Sequence, residues 1–293
     1  MGTVLRIGVA GAGVFGGYHA SKIAEHPRAA LSGVSDPDLA RARALGLRHG
    51  AGGMTLGTLV AESDAVVVAC PAGAHEAVAL EALAAGRHVL VEKPLAHTAA
   101  AGERIVRAAE GLVLQVGHQE RVVAEAVGLR DLRGITGVEA WRETPPGERG
   151  RDVGVALDLM IHDIDLAHWL LRGEARDVMG DSDGDVAEAV FAVRGVPVHL
   201  RSSRVASRPR RVMRIHHAGG AVEVDWNAKT VSGGVGGLDP DFGDTEAARD
   251  SLGAATDRFV RAVLDGGAPL ASGVDGLRAL RVARKVDAKR RDG

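Results

Sequence analysis

Apolar and polar positions along this chain fall into two regimes. Over residues 4–116, short apolar runs of strand length alternate with longer mixed segments. The strand-like runs are 4–10, 31–35, 65–69, 88–91 and 112–116, and the last four residues of 65–69 read VVVA. Helical segments follow the first run through residue 24, open at Pro37, and cover 75–85 and 98–109. Strands alternating with helices at this rhythm predict a parallel, doubly wound sheet. After about residue 119 the rhythm changes. A helix over 120–132 and a strand over 135–142 lead into the polar loop TPPGERGRDVG. Strand-like runs at 186–193, 196–205, 211–217, 221–226 and 230–232 follow, with Gly219-Gly220 a hairpin signal. Segment 233–243 is glycine-rich and expected as a mobile loop, and helical segments at 245–264 and 274–290 close the chain. The pattern predicts an α/β domain over 1–119 and an α+β domain with an antiparallel sheet over 120–293.

Between the loop and the later strands lies ALDLMIHDIDLAHWLL, residues 156–171. Apolar residues occupy nearly every side of it, and a helix of that kind is normally buried. Yet Asp158, His162 and Asp165 stand at i, i+4 and i+7, which predicts one shared face. Burying such groups costs several kcal/mol unless they are paired or used. The bland alternative makes Asp158 an N-cap and sets the other acids near the helix N-terminus.

The first strand runs directly into Gly11-Ala12-Gly13-Val14-Phe15-Gly16, a G-x-G-x-x-G loop that opens a helix. Its glycines suit a tight turn, close approach of backbone to a pyrophosphate, and close helix–strand packing. The helix N-terminus then faces phosphates with free N–H groups. Asp36 ends the second strand twenty residues after Gly16, where a carboxylate can accept from a ribose 2′-hydroxyl, or cap the helix opening at Pro37. These features predict an N-terminal Rossmann domain. Ligands of such sheets bind at the carboxyl ends of strands. The polar groups there are Cys70-Pro71 with His75, then Glu92-Lys93-Pro94, then His118-Gln119. Expected cofactor-binding residues are Gly11, Gly13, Val14, Phe15, Gly16, Asp36, Pro71, His75, Glu92, Lys93 and Gln119, and NAD is expected over NADP because Asp36 would repel a 2′-phosphate.

Composition excludes more than it selects. Across 293 residues, 46% are hydrophobic and 25% charged, as in an ordinary globular protein. A net charge of -2 gives no electrostatic footprint for nucleic acid or an anionic membrane. One cysteine excludes an internal disulfide framework, and the twelve histidines match no metal spacing. With no membrane-length apolar run and no leader pattern, a cytoplasmic protein is expected.

At this point the chain resembles the glucose-fructose oxidoreductase/inositol dehydrogenase family (Gfo/Idh/MocA). The resemblance covers essentially the whole length. It rests on GAGVFG followed by His19, on Asp36, on HVLVEKP ending in Glu92-Lys93-Pro94, and on D-x-x-x-H at Asp158 and His162. The resemblance implies hydride transfer between a sugar or cyclitol carbinol and nicotinamide, with Lys93, Asp158 and His162 as the catalytic residues. It also implies that the second domain's sheet is large and mostly antiparallel, and a homodimer or homotetramer associating through a free sheet face. His162 is the expected base, since an imidazole can titrate near neutrality. A narrower resemblance to UDP-N-acetylglucosamine 3-dehydrogenases rests on VGHQER, Pro145-Pro146, Arg149, Arg151 and DVGVALDLMIHDID. Val122-Val123-Ala124 departs from it where an aromatic-Asn-Pro run is expected. It suggests an anionic nucleotide-sugar held by Lys93, Arg121, Arg149, Arg151, Asp158 and His162, since arginine forks suit phosphate. Two other classes compete: a non-catalytic dinucleotide-binding regulator, and a metal hydrolase using Asp158, His162 and Asp165. The second leaves the glycine loop and Lys93 without a purpose.

Overall fold

The computed structural model describes residues 3–147, 153–233, 238 and 240–288. The chain divides into two compact units, Met1–Gln119 with Leu252–Leu277, and Glu120–Ser251 with Arg278–Gly293.

The first unit contains β1 (Leu5–Ala10), α1 (Val14–Glu25), β2 (Ala29–Ser35), α2 (Leu39–Arg48), β3 (Gly52–Met54) and α3 (Leu56–Glu62). It continues with β4 (Ala65–Val68), α4 (His75–Ala84), β5 (His88–Val91), α5 (Ala99–Ala108) and β6 (Leu114–Val116). The strands lie in the order β3-β2-β1-β4-β5-β6, every neighbouring pair parallel. The doubly wound sheet expected from the alternation is therefore present. Its order reverses between β1 and β4, the switch point at which such sheets bind ligands. Ile7, Val9, Val34, Val67 and Leu90 from the strands pack with Ala20 and Ile23 of α1 in the core. β3 and α3 are absent from the sequence expectation because Gly52-Gly53-Met54 offers no apolar run; it is held as an edge strand by β2 alone.

The second unit opens with α6 (Glu120–Val127), which stops short of the expected residue 132 because Gly128 turns left-handed at φ 87°. β7 (Ile135–Glu143) follows, then a π-helical turn (Ala156–Met160) that runs into α7 (Ile161–Leu171). β8 (Ala175–Ser182), β9 (Val186–Val193), β10 (Val196–Ser203), β11 (Arg210–His217), β12 (Gly220–Asp225) and β13 (Thr230–Ser232) complete a seven-stranded sheet. Its order is β13-β12-β11-β7-β10-β9-β8, and only the β7–β10 pair is parallel. β8 escaped sequence reading because ARDVMGDS, an edge strand with an irregular register, shows no apolar alternation.

The helix expected over 245–264 is two: α8 (Glu246–Arg249) and α9 (Ser251–Asp265), broken at Asp250 (φ -143°, ψ 68°). α10 (Gly273–Asp287) follows. The second domain expected over 120–293 is thus interrupted, since Leu252–Leu277 belongs to the first unit. The cause is visible in side chains. Phe259 and Val260 join the first unit's core. Gln115 of β6 donates to Ala255 O at 3.0 Å and accepts from Leu270 N at 3.0 Å, and Val116 N donates to Ala271 O at 2.9 Å. The segment thereby covers the exposed edge of β6.

Every residue of α7 except His162 is buried. His168 is among them, its Nε2 accepting from Ala175 N at 3.2 Å and its ring edge-on to Phe191. Burial pushes its imidazole down to about 4. The unfolded chain, with an ordinary imidazole, therefore binds the proton first, so stability is complete above about pH 6.5 and falls as pH drops toward 4. The shift corresponds to about 3 kcal/mol across that window. Denaturant titrations from pH 7 to 4.5 test this: His168→Gln should flatten the acid loss relative to the parent protein, and an unchanged slope would show that His168 is not its source.

Candidate active site

The glycine loop leaves β1 under tight steric control. A Cβ on Gly11, at φ +117°, would lie 2.6 Å from the Ala69 carbonyl, and one on Gly16 would overlap the Gly11 carbonyl oxygen. At Gly13 the same atom would meet open space, with Arg41 Nη2 4.0 Å away as the nearest neighbour. The start of α1 has no side-chain cap and no acid in its first turn. That combination suits phosphate. Val14 and Phe15 of this turn are exposed.

Asp36 stands at the end of β2. It accepts from Ala12 N at 2.8 Å and Asp38 N at 3.0 Å, tying the glycine loop to the adjoining turn. A carboxylate has about four acceptor sites, so two remain for a ribose diol. The cap of α2 is Asp38, which accepts from Ala40 N and Arg41 N, and not Asp36. Beside Asp36 a cavity of about 500 Å³ is lined by Gly11, Ser35, Pro37, Leu39, Thr55, Leu56, Cys70, Pro71, Ala74 and Val78. Its size and mostly apolar walls fit an adenosine. Burial pushes the Cys70 thiol up to about 11, so it is inert lining.

Three expected cofactor contacts instead brace the loop that carries Lys93. Glu92 is buried, and its carboxylate meets His19 Nε2 at 2.7 Å, Gln119 Nε2 at 2.8 Å and Lys93 N at 3.3 Å. Burial would raise its pKa, but hydrogen bonding and charge from His19, with Lys93 and Gln119, hold it below the usual carboxylate range. Glu92 therefore ties together β5, α1 and the end of β6. His75 is buried with Nδ1 2.8 Å from Pro94 O and Nε2 2.9 Å from Cys70 O. Both of its nitrogens are engaged by backbone, so it holds the turn after β4 to the Lys93–Pro94 turn, whose peptide is cis. Lys93 itself is half-buried.

In the second unit, the expected single face of Asp158, His162 and Asp165 is divided. Asp158 lies in the π-helical turn and is half-buried, as is His162, whereas Asp165 is 1% exposed. Asp165 forms a two-pronged ion pair with Arg121 at 2.7 and 2.5 Å, and Arg121 is 4% exposed. Arg121 is thereby a structural partner of α7. Arg149 and Arg151 lie outside the described residues. The helix is not capped by Asp158. Asp287, the last residue of α10, accepts from Ala156 N at 3.2 Å and Leu157 N at 3.1 Å, and a Cβ on Gly154 would overlap its carboxylate.

His162 faces a charged network that sequence reasoning missed. Its Nδ1 lies 3.2 Å from Glu120 Oε1. Glu120 also accepts from Arg142 at 3.0 and 2.7 Å and from Arg211. Arg142 continues to Asp163 with two bonds of 2.8 Å. Burial works against an ionised Glu120, yet Arg142, His162 and Arg211 outweigh it and hold its carboxyl well below the usual range. Asp163 goes the other way, raised by burial against the pull of Arg142. No sequence spacing signals this, because the four partners come from α6, β7, α7 and β11. Among the described residues, no group of three or more His, Cys, Asp or Glu could hold a metal ion.

Known proteins match this chain along most of its length. The NAD-binding Rossmann-fold domain of the oxidoreductase family Gfo/Idh/MocA matches residues 5–118, and the family's C-terminal domain matches 129–223. The chain belongs to the Gfo/Idh/MocA family. It is thus an NAD-binding oxidoreductase. A UDP-N-acetylglucosamine 3-dehydrogenase of Acidithiobacillus ferrooxidans is 33% identical over 96% of both chains. A crystal structure of that enzyme superposes with a TM-score of 0.87, covering 96% of each chain at 32% identity. An inositol 2-dehydrogenase of Rubrobacter xylanophilus is 34% identical, over 59% of this chain and 54% of its own. GenD2 from gentamicin A biosynthesis, solved with NAD, gives a TM-score of 0.79 at 26% identity, covering 98% of this chain and 94% of its own.

The glycine loop gives this Gfo/Idh/MocA member a direct test. Gly16→Ala forces α1 away from the Gly11 carbonyl and displaces the phosphate-facing turn. Calorimetric titration should show NAD affinity reduced at least ~10-fold, the scale of one lost hydrogen bond or more. Unchanged affinity would mean that the loop does not hold the dinucleotide.

Proposed function

We propose that this protein oxidises a secondary alcohol of a sugar, the C3 hydroxyl of a UDP-N-acetylhexosamine, with NAD as acceptor. The observation that carries the reading is likeness to a UDP-N-acetylglucosamine 3-dehydrogenase along 96% of both chains, where the inositol 2-dehydrogenase matches 59% of this one. The residues suit the chemistry. Alcohol oxidation removes a proton from oxygen and a hydride from carbon. Bound NAD supplies the hydride acceptor. His162 takes the hydroxyl proton, Asp158 orients the sugar, and Lys93 polarises the reacting oxygen. Gly11, Gly13 and Gly16 admit the pyrophosphate, and Asp36 accepts from the adenosine ribose. Arg149 and Arg151, immediately before the His162 helix in sequence, bind the substrate diphosphate.

Asp36 also sets the cofactor preference, since a 2′-phosphate would meet its charge at close range. Arg41, whose Nη2 donates to Ala12 O at 3.3 Å beside it, is the residue able to offset that repulsion.

One assay tests the reading: nucleotide-sugars, free sugars and cyclitols are screened by absorbance of reduced nicotinamide, with NAD and then NADP. The expected result is kcat/KM at least ~10-fold higher for UDP-N-acetylglucosamine than for myo-inositol, and higher with NAD than with NADP. Arg149→Ala with Arg151→Ala should raise KM for the UDP-sugar several-fold and leave kcat nearly intact. Preference for a cyclitol, with KM insensitive to those arginines, would replace the nucleotide-sugar with a neutral substrate. NAD binding without turnover of any of these compounds would point to a regulator.

A further inference from the structure

We propose that Glu120 is the positioning residue for His162: its carboxylate engages Nδ1 of the imidazole, fixing Nε2 as the atom that accepts the substrate proton. The inference deepens the dehydrogenase reading and rests on His162 being the base. A neutral imidazole carries one proton, and which nitrogen bears it is set by the partner of the other. A carboxylate that accepts from Nδ1–H leaves Nε2 basic and stabilises the imidazolium once the substrate proton arrives. Glu120 Oε1 lies 3.2 Å from Nδ1, at ion-pair distance, from which a small turn of the ring completes the hydrogen bond.

The rest of the network explains why Glu120 can act this way without taking the proton itself. Arg142 and Arg211 both donate to its carboxylate and hold it ionised. Arg142 is itself fixed by Asp163, and burial of these groups prevents water from screening them. The charged groups packed around the ring are Glu120 from α6, Arg142 from β7 and Arg211 from β11, with Asp158 and Asp163 beside it in its own helical stretch. Of these, Glu120 is an anion paired to the ring. Asp163 serves Arg142 in the same network, which makes it the matched control: removing either acid takes one negative charge from Arg142, but of the two it is Glu120 that pairs with His162.

The decisive experiment needs no substrate. The Cε1–H resonance of His162, assigned by its loss in His162→Ala, is titrated by NMR in the intact protein, in Glu120→Gln and in Asp163→Asn. An opposite charge within ~4–6 Å moves a pKa by about 1–3 units. Glu120→Gln should therefore lower the His162 midpoint by about one unit or more, and Asp163→Asn by less than half as much. Where a sugar is turned over, the acid limb of the kcat profile should move the same way, with NAD affinity unchanged within about twofold. An unmoved midpoint in Glu120→Gln, or equal shifts in the two variants, would overturn the proposal. Should Glu120→Gln not fold, Glu120→Asp keeps the charge for the arginines while withdrawing it from the ring, and a midpoint equal to the parent's would overturn it as well. A shifted midpoint with no sugar oxidised would sink the dehydrogenase reading and leave the Glu120–His162 coupling standing.

Discussion

An ionised carboxylate out of water must be given back, in donors and positive charge, what hydration supplied; this constraint shapes the neighbourhoods of both Lys93 and His162. Glu92 meets it with His19, Gln119 and the Lys93 amide, and in doing so fixes the turn from which Lys93 extends. Glu120 meets it with Arg142, Arg211 and His162, and in doing so joins one helix, two strands and α7. Removing one partner from such a network leaves a buried charge uncompensated, which typically costs ~3–5 kcal/mol. The partners that keep these acids charged also fix the geometry around Lys93 and His162.

Much of this could be read from the residues alone. Alternating runs gave the parallel sheet, and the glycine loop is tight where Gly11 and Gly16 stand and open at Gly13, as the motif's chemistry requires. Asp36 accepts from the loop at Ala12 N, with acceptor sites to spare. What escaped depends on residues far apart in sequence. Asp287 caps a helical turn some 130 positions earlier. Glu120 reaches Arg211, 91 positions on. Leu252–Leu277 returns to the first unit through Gln115 and a few apolar side chains, which no composition shift announces.

Several residues expected at ligands carry a second commitment. Arg121, His75, Glu92 and Gln119 are expected there because each is polar and near the end of a strand or loop expected to carry function. Each proves to be committed to another protein group: Arg121 to Asp165, His75 to two backbone carbonyls, Glu92 and Gln119 to one another. A polar residue beside a site is as often what holds the site as what uses it, and only the partner list separates the two. The π-helical turn is a related case. Its sequence reads as ordinary helix, yet the wider turn carries Asp158, which is half-buried like His162, while Asp165 further along α7 is sealed against Arg121. Such turns often occur at functional sites.

The central claim is a division of labour, with the dinucleotide held by the glycine loop and Asp36 and the proton moved by His162. The most direct measurement is made on His162→Ala: NAD affinity by calorimetry, alongside kcat with the best sugar substrate. The account predicts affinity within about twofold of the parent protein and kcat reduced ~100- to 10,000-fold, the usual contribution of a positioned acid–base group. Near-full turnover in that variant would contradict it.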